Sequence, residues 1–295
     1  MPDFGSFRGF GEKLTQGQTP TQLGKIGSEN FGYFGVLDFY PNATVAYSLR
    51  LLRNGYTGNA IRVRRASDNT EQNIGFTLQG GLDITALSSF CSGTNGFVTT
   101  WYDQSGNGNN FTQATAGSQP QIVSSGSILT QAGVGSAQPS ILFVNGRLMQ
   151  CTSVNLTGSS SSLFLTHKKV FGSQDTVLHQ SAGSTYLYLN YNNIQYYGLT
   201  NGSINDTNGD FNTSSYLLTS IQYTNAGTLN FYKNNAVKLT AANRTITGQA
   251  YDRILGNPFG ARNDYYMSEI ILYPNNQLSN LSAINTNINT YYGIY

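Results

Sequence analysis

"WYDQSGNGNN" (residues 101–110) ends the run "GFVTTWYD" (96–103), which reads as a β-strand delivered into a tight turn. The chain's one tryptophan and a tyrosine lead into an aspartate, after which small polar residues alternate with glycines. Asp103, Ser105, Asn107 and Asn109 place side-chain oxygens at every second residue. That spacing loosely suits a calcium loop, but such a loop carries more carboxylates and a terminal glutamate. The preferred reading is a structural loop after Trp101, in which Asp103 and the asparagines satisfy backbone amides as Asx turns.

Strands recur outward from this stretch. "AIRVRR" (60–65) alternates, and after Pro120 come "SILFV" (140–144), "LFLTHKKV" (163–170), "TYLYLNY" (185–191), "IQYYGL" (194–199), "YLLTSIQY" (216–223), "TLNFYKN" (228–234), "RILG" (253–256) and "YYMSEIILY" (265–273). Asn145-Gly146 and Asn225-Ala226-Gly227 supply hairpin turns. Three segments read as helices. Val45, Ala46, Leu49 and Leu52 share a helical face behind an Asn42 cap; Asp83 caps a helix burying Ile84, Leu87 and Phe90; and Leu278, Leu281, Ile284 and Ile288 mark a closing helix. Many short strands without long intervening helices indicate an all-β sandwich.

Composition narrows the function. Only 10% of the 295 residues are charged and the formal net charge is +2, so no nucleic-acid footprint is present. No run approaches the about 20 apolar residues of a membrane span, and the N-terminus lacks the apolar core of a signal peptide. Residues 1–35 scatter Phe4, Phe7, Phe10, Phe31 and Phe34 among glycines without a strand or helix period, and read as an arm whose aromatics need a surface to dock on. Cys91 and Cys151 are too few for a disulfide framework or a cysteine zinc site, and read as two buried thiols. With only His167 and His179, a multi-histidine metal site is excluded.

Glycoside hydrolysis needs two carboxyl groups roughly 5–10 Å apart across the scissile bond. Of 14 acidic residues, four are glutamates. Glu12 and Glu29 lie in the arm; Glu71 sits with Arg62, Arg64, Arg65 and Asp68 in a cluster that reads as surface ion pairs, with an anionic sugar or phosphate on the arginines as the alternative; and Glu269 lies on a strand. Few carboxylates fall on strands, which counts against a hydrolase. The run "NYNNIQYYG" (190–198), with Tyr186 and Tyr188 before it, is a candidate sugar platform, since aromatic faces stack on sugar rings and amides read hydroxyls. Ordinary packing of a Tyr-rich sheet face is the alternative.

The segments "AYSLRLLRNGYTGNAIRVRRASDNTEQNIGF" (46–76), "LDITALSSFC" (82–91) and "VTTWYDQSGNGNNFTQA" (98–114) resemble the catalytic domain of fungal α-L-arabinofuranosidase B, glycoside hydrolase family 54, over roughly residues 43–123. The resemblance implies a concanavalin A-like jelly-roll sandwich. In that family the nucleophilic glutamate precedes an Asn-Asn pair; "LNYNNI" (189–194) keeps Asn192 and Asn193 but has Tyr191 in the nucleophile's place. The family's acid/base aspartate follows a Gly-rich turn after "ILG"; here Ile254-Leu255-Gly256 leads to Asn257, Pro258 and Phe259, with no carboxylate before Asp264. The family's adjacent cysteine pair is absent: Cys91 matches one cysteine of the family, with Phe97 at the partner position. Domains similar to residues 40–135 are also found in structural proteins of tailed bacteriophages.

Together these resemblances imply a virion protein and not an enzyme. Residues 1–35 would anchor it to other virion proteins, and residues 36–295 would form a displayed, lectin-like jelly roll. Host-surface glycans would bind at Tyr186, Tyr188, Tyr191, Asn192, Asn193 and Tyr196. The implied protein is made in the host cytoplasm without a signal peptide and is carried on the virion as a homo-oligomer. It has no cofactor, no nucleic-acid partner and no membrane insertion. The alternative is an active α-L-arabinofuranosidase-like hydrolase, with Glu269 and either Asp252 or Asp264 as substitute carboxylates.

Overall fold

The computed structural model describes residues 33–295, apart from 145, 157–159, 172–173, 180–185, 192–193, 198–213, 225–226, 243–248 and 255–263. Two antiparallel layers face each other. The first runs through Ile194–Tyr197, Tyr186–Tyr191, Gln174–His179, Gln249–Ile254, Met149–Leu156, Phe111–Thr112, Gly96–Trp101, Ile61–Arg65 and Glu71–Ile74. The second runs through Ala236–Ala241, Leu229–Lys233, Tyr216–Tyr223, Ser161–Phe171 and Asp264–Tyr273. The far side of Asp264–Tyr273 is shared by Val45–Ser48 along one half and Ile141–Phe143 along the other. Gln121–Ser124 pairs with both Gly96–Trp101 and Ile141–Phe143 and so links the layers. The architecture is the β-sandwich with a few short helices that the strand spacing implies.

The second layer is covered on both faces. Leu163, Leu165, Leu217, Ile221, Ile270 and Leu272 pack into the core between the sheets. Their neighbours Phe164, Tyr216, Leu218, Ile271 and Tyr273 pack on the other side, against α1 (Val36–Phe39) and α3 (Leu281–Tyr292). Strand residues alternate between faces, so a strand covered twice shows no polar alternation. All eight residues of "YLLTSIQY" (216–223) are buried for this reason.

The same cause corrects the helix expected at 42–52. Residues Val45–Ser48 form a strand whose four side chains are all buried. Val45 and Tyr47 face the inter-sheet core while Ala46 faces the helices, so the apolar spacing reflects two covered faces rather than one helical stripe. Asn42 is a left-handed turn residue (φ 68°), not a cap.

The helix after Asp83 is present as α2 (Ile84–Phe90), with the Asp83 side chain accepting from the Ala86 amide; it buries Leu87 and Phe90 but leaves Ile84 49% exposed. Leu278 lies before α3 and is exposed. Val144 and Gly146 do not join a hairpin: Ile141–Phe143 pairs with Asp264–Tyr273, whereas Met149–Leu156 pairs with Gln249–Ile254 in the other layer. Asn145, Asn225 and Ala226 lie outside the described residues, yet the strands flanking 225–226 do pair. A turn that the sequence reading missed, Asn234-Asn235 with φ of 49° and 66°, joins Leu229–Lys233 to Ala236–Ala241. Residues 1–32, most of the expected arm, are outside the described residues.

His167 is buried in the second layer, its Nε2 2.8 Å from Thr219 Oγ1 and its ring 5.8 Å from that of Tyr265. Burial lowers its pKa from the ordinary 6.5 to about 3. Burial, then the charge of Arg253, lowers that of His179 to about 4, against a smaller opposing pull from Asp252. Below pH 6.5 the unfolded chain takes up these two protons and the folded chain does not, so their contribution to stability is complete above 6.5 and declines as pH falls toward the folded values. Denaturation midpoints of the protein should therefore fall between pH 6.5 and 4, and His167→Gln should flatten that slope. Equal slopes in both proteins would contradict the assignment.

Candidate functional site

The loop quoted first ties the end of Gly96–Trp101 in the first layer to residues 43–52 around Val45–Ser48 in the second. Asp103 is 4% exposed, and both its oxygens are taken. Oδ1 accepts from the amides of Ala46 (2.9 Å) and Ser105 (2.9 Å); Oδ2 accepts from Ser105 Oγ (2.8 Å) and the Asn109 amide (3.1 Å). Gln104 donates to the carbonyls of Ser48 and Arg50 and accepts from the Leu52 amide. Asn107 donates to the carbonyls of Ala43 and Thr44. Gly106 and Gly108 take φ of 99° and 75°, where a side chain would be strained. Trp101 is buried in the inter-sheet core beside Tyr47, whose hydroxyl donates to the Asn109 carbonyl. Four donors aimed at Asp103 repel a cation, and among the described residues no group of three metal-ligating side chains exists.

Glu269, one of the substitute carboxylates, lies under α3. It is fully buried and receives Arg50 through two contacts, Nε to Oε2 at 2.7 Å and Nη2 to Oε1 at 3.0 Å, with Ser48 Oγ donating to Oε2 at 2.7 Å. Arg50 Nη1 donates to Asn287 Oδ1 of α3 at 2.8 Å. A carboxylate held this way cannot meet a substrate, which corrects its candidacy. Asp264 is also fully buried, at the start of its strand opposite Phe171.

Asp252 is placed differently. It is half-buried on Gln249–Ile254, between the strands carrying Cys151 and His179. Burial, together with the charges of Asp252 and Asp103 and against a hydrogen bond with Tyr47, pushes the Cys151 thiol up to about 12. The thiol is thus no nucleophile at neutral pH, and His179 is neutral there. Cys91 and Cys151 are both free; Cys91 is buried and Cys151 half-buried. Tyr186, Tyr188, Tyr191 and Tyr196 lie on strands beyond Gln174–His179 in the same layer, whereas Asn192 and Asn193 are outside the described residues.

Residues 41–160 match the family model described as alpha-L-arabinofuranosidase B, catalytic. The chain resembles that catalytic domain. A probable α-L-arabinofuranosidase B of Aspergillus terreus is 38% identical over 103 residues, 33% of this chain and 20% of the relative. The α-L-arabinofuranosidase B of Emericella nidulans is 45% identical over 69 residues, 23% of this chain and 14% of the relative. The matched stretch is thus about a fifth of these relatives or less. Among solved structures, a Glu-to-Gln mutant of a family 54 arabinofuranosidase soaked with 4-nitrophenyl α-L-arabinofuranoside has a TM-score of 0.70 at 16% identity, covering 88% of this chain and 66% of its own. An arabinofuranosidase complexed with arabinofuranosyl-α-1,2-xylobiose has a TM-score of 0.67 at 17% identity, covering 88% and 65%. At that identity the structural likeness concerns the fold.

These matches correct the virion reading. The family model is that of a catalytic domain and the relatives are fungal arabinofuranosidases, so a non-enzymatic phage protein, virion partners and residence on a particle find no support in them. The sequence reading excludes catalysis on the alignment of 189–194 and 254–264, which lies beyond the matched 41–160. The matched residues therefore do not bear on which carboxylates the second half of the chain carries.

Asp103→Ala should lower stability by about 1–3 kcal/mol for each buried donor left without an acceptor, read by urea denaturation. Glu269→Gln should cost about 3–5 kcal/mol by stranding the Arg50 charge. Wild-type stability in Glu269→Gln would show that the ion pair is not a structural element.

Proposed function

We propose that the chain is a glycoside hydrolase acting on α-L-arabinofuranosyl groups of carbohydrates. The observation that carries this reading is the catalytic-domain match at 41–160, set in a sandwich similar over 88% of the chain to arabinofuranosidase structures. Such hydrolysis takes two carboxyl groups, one protonating the leaving oxygen and one acting from the opposite side as nucleophile or base. Asp252 is the first candidate, because it is half-buried on an interior strand beside a Cys151 thiol that stays protonated at neutral pH. Asp264, fully buried, is the remaining carboxylate of the three, since Glu269 is held in its ion pair with Arg50. Tyr186, Tyr188, Tyr191, Asn192, Asn193 and Tyr196 would border the sugar, stacking on the ring and reading its hydroxyls.

Initial rates on 4-nitrophenyl α-L-arabinofuranoside test the reading. The wild type should turn over, and Asp252→Asn should lower kcat by roughly 10²–10⁴-fold, as loss of a positioned acid or base does, with its urea midpoint unchanged. Asp264→Asn reports on the second carboxyl group in the same assay. A wild type with no turnover above buffer sinks the proposal.

A further inference from the structure

The arginines read from sequence as one ion-pair cluster are divided by the structure. Arg62 meets Glu71 at 2.7 Å and Arg65 meets Asp68 at 2.6 Å. Arg64 is held by neutral amides instead: its Nε donates to Gln119 Oε1 at 2.7 Å and its Nη1 to Asn69 Oδ1 at 2.7 Å. Its guanidinium carbon lies 5.0 Å from the centre of the Phe97 ring. The guanidinium carbon of Arg147, from a different part of the chain, lies 5.0 Å from the centre of the same ring. Arg147 Nη1 is buried and has no acceptor among the described residues.

Two cations therefore share one half-buried aromatic ring, and among the described residues neither forms an ion pair. Cation–π attraction to Phe97 holds each one in place, but it neither neutralises their mutual repulsion nor satisfies the buried N–H. Burial, and then the charge of Arg64, lowers the pKa of Arg147 from its ordinary value, as expected of like charges brought together. The nearest strand partner with a carboxylate, Glu71, is already engaged by Arg62. What the arrangement lacks is an acceptor carrying negative charge. A guanidinium fork is the group best shaped to take a carboxylate or a phosphate through paired hydrogen bonds.

We propose that Arg64 and Arg147, set against Phe97, form a binding site for an oxyanion: the carboxylate of a sugar acid or a phosphate group. The site is distinct from the Asp252 carboxylate proposed above. Phe111–Thr112 and Met149–Leu156 lie between the Phe97 strand and the Asp252 strand. Phe97 and Arg64 also alternate with the core residues Val98 and Val63, which places them on the outer face of the layer.

Calorimetric titration of the full chain with potassium phosphate and, separately, with D-galacturonate tests the site, at constant ionic strength with chloride and D-galactose as controls. Saturable binding is expected from at least one of the two anions and from neither control. Arg64→Gln and Arg147→Gln should each weaken it roughly tenfold or more, the size of losing a charge-assisted hydrogen bond. Arg65→Gln, whose charge is already paired with Asp68, should leave it unchanged. Phosphate binding alone would identify a phosphoryl or inorganic ligand, and galacturonate binding alone a sugar acid; both support the site. No saturable binding, or equal weakening in Arg65→Gln, overturns it. If Arg147→Gln fails to fold, the half-exposed Arg64 carries the test. Because binding rather than turnover is read, the result stands apart from the arabinofuranosidase assay.

Discussion

A charge pair sealed between a sheet and a helix holds this protein to one arrangement. Arg50 reaches Glu269 from the end of one strand, Asn287 from α3 completes the contact, and the rings of Tyr291 and Tyr292 stand 5.3 and 5.8 Å from the guanidinium carbon. An apolar pair of the same volume could hold the layers as tightly, because desolvating two ions costs much of what their attraction returns. The ion pair contributes register. A slip of Val45–Ser48 by one residue against Asp264–Tyr273 would turn Glu269 and Ser48 away from each other and leave charge facing the apolar core.

The double covering of the second layer explains what could and could not be read from sequence. Strands with one open face, such as "AIRVRR", alternate visibly and are legible. Ser161–Phe171, Tyr216–Tyr223 and Asp264–Tyr273 are legible as strands from their aromatic and branched residues, but nothing local reveals that a helix covers their second face. Val45–Ser48 reads as a helix for that reason, having apolar residues on both sides. The Asn234-Asn235 turn is a pair that sequence rules allow and the reading overlooked, whereas the false hairpin at Gly146 could be recognised only by knowing which layer each strand joins.

The candidate site was legible in a more limited way. The loop at 101–110 is visible because its chemistry is local: an aspartate, its neighbours' amides and two glycines in left-handed conformation. A carboxylate pair for hydrolysis is a property of strands distant in sequence, and which face each residue takes depends on register. Glu269 illustrates the point, since a glutamate on a strand looks available until the helix above it is seen. The match at 41–160 covers scaffold, while Asp252, Asp264 and the tyrosine-rich strands lie beyond it. Family likeness and candidate chemistry therefore occupy different parts of the chain.

The pairing of Asp264–Tyr273 also has a temporal meaning. Ser48 and Arg50 are separated from Glu269 by 221 and 219 residues, and Ile141–Phe143 likewise waits for Asp264–Tyr273 as its partner. Contacts of such separation are closed late, because the loop entropy must be met before the pairing rewards it. A ribosome that has delivered residues 41–160 has delivered two strands with an unpaired edge and an arginine with no counter-ion. Until the partner strand emerges, that edge is open to other chains. Val45–Ser48 and Ile141–Phe143 thus stay without this partner until residues 264–273 have been made.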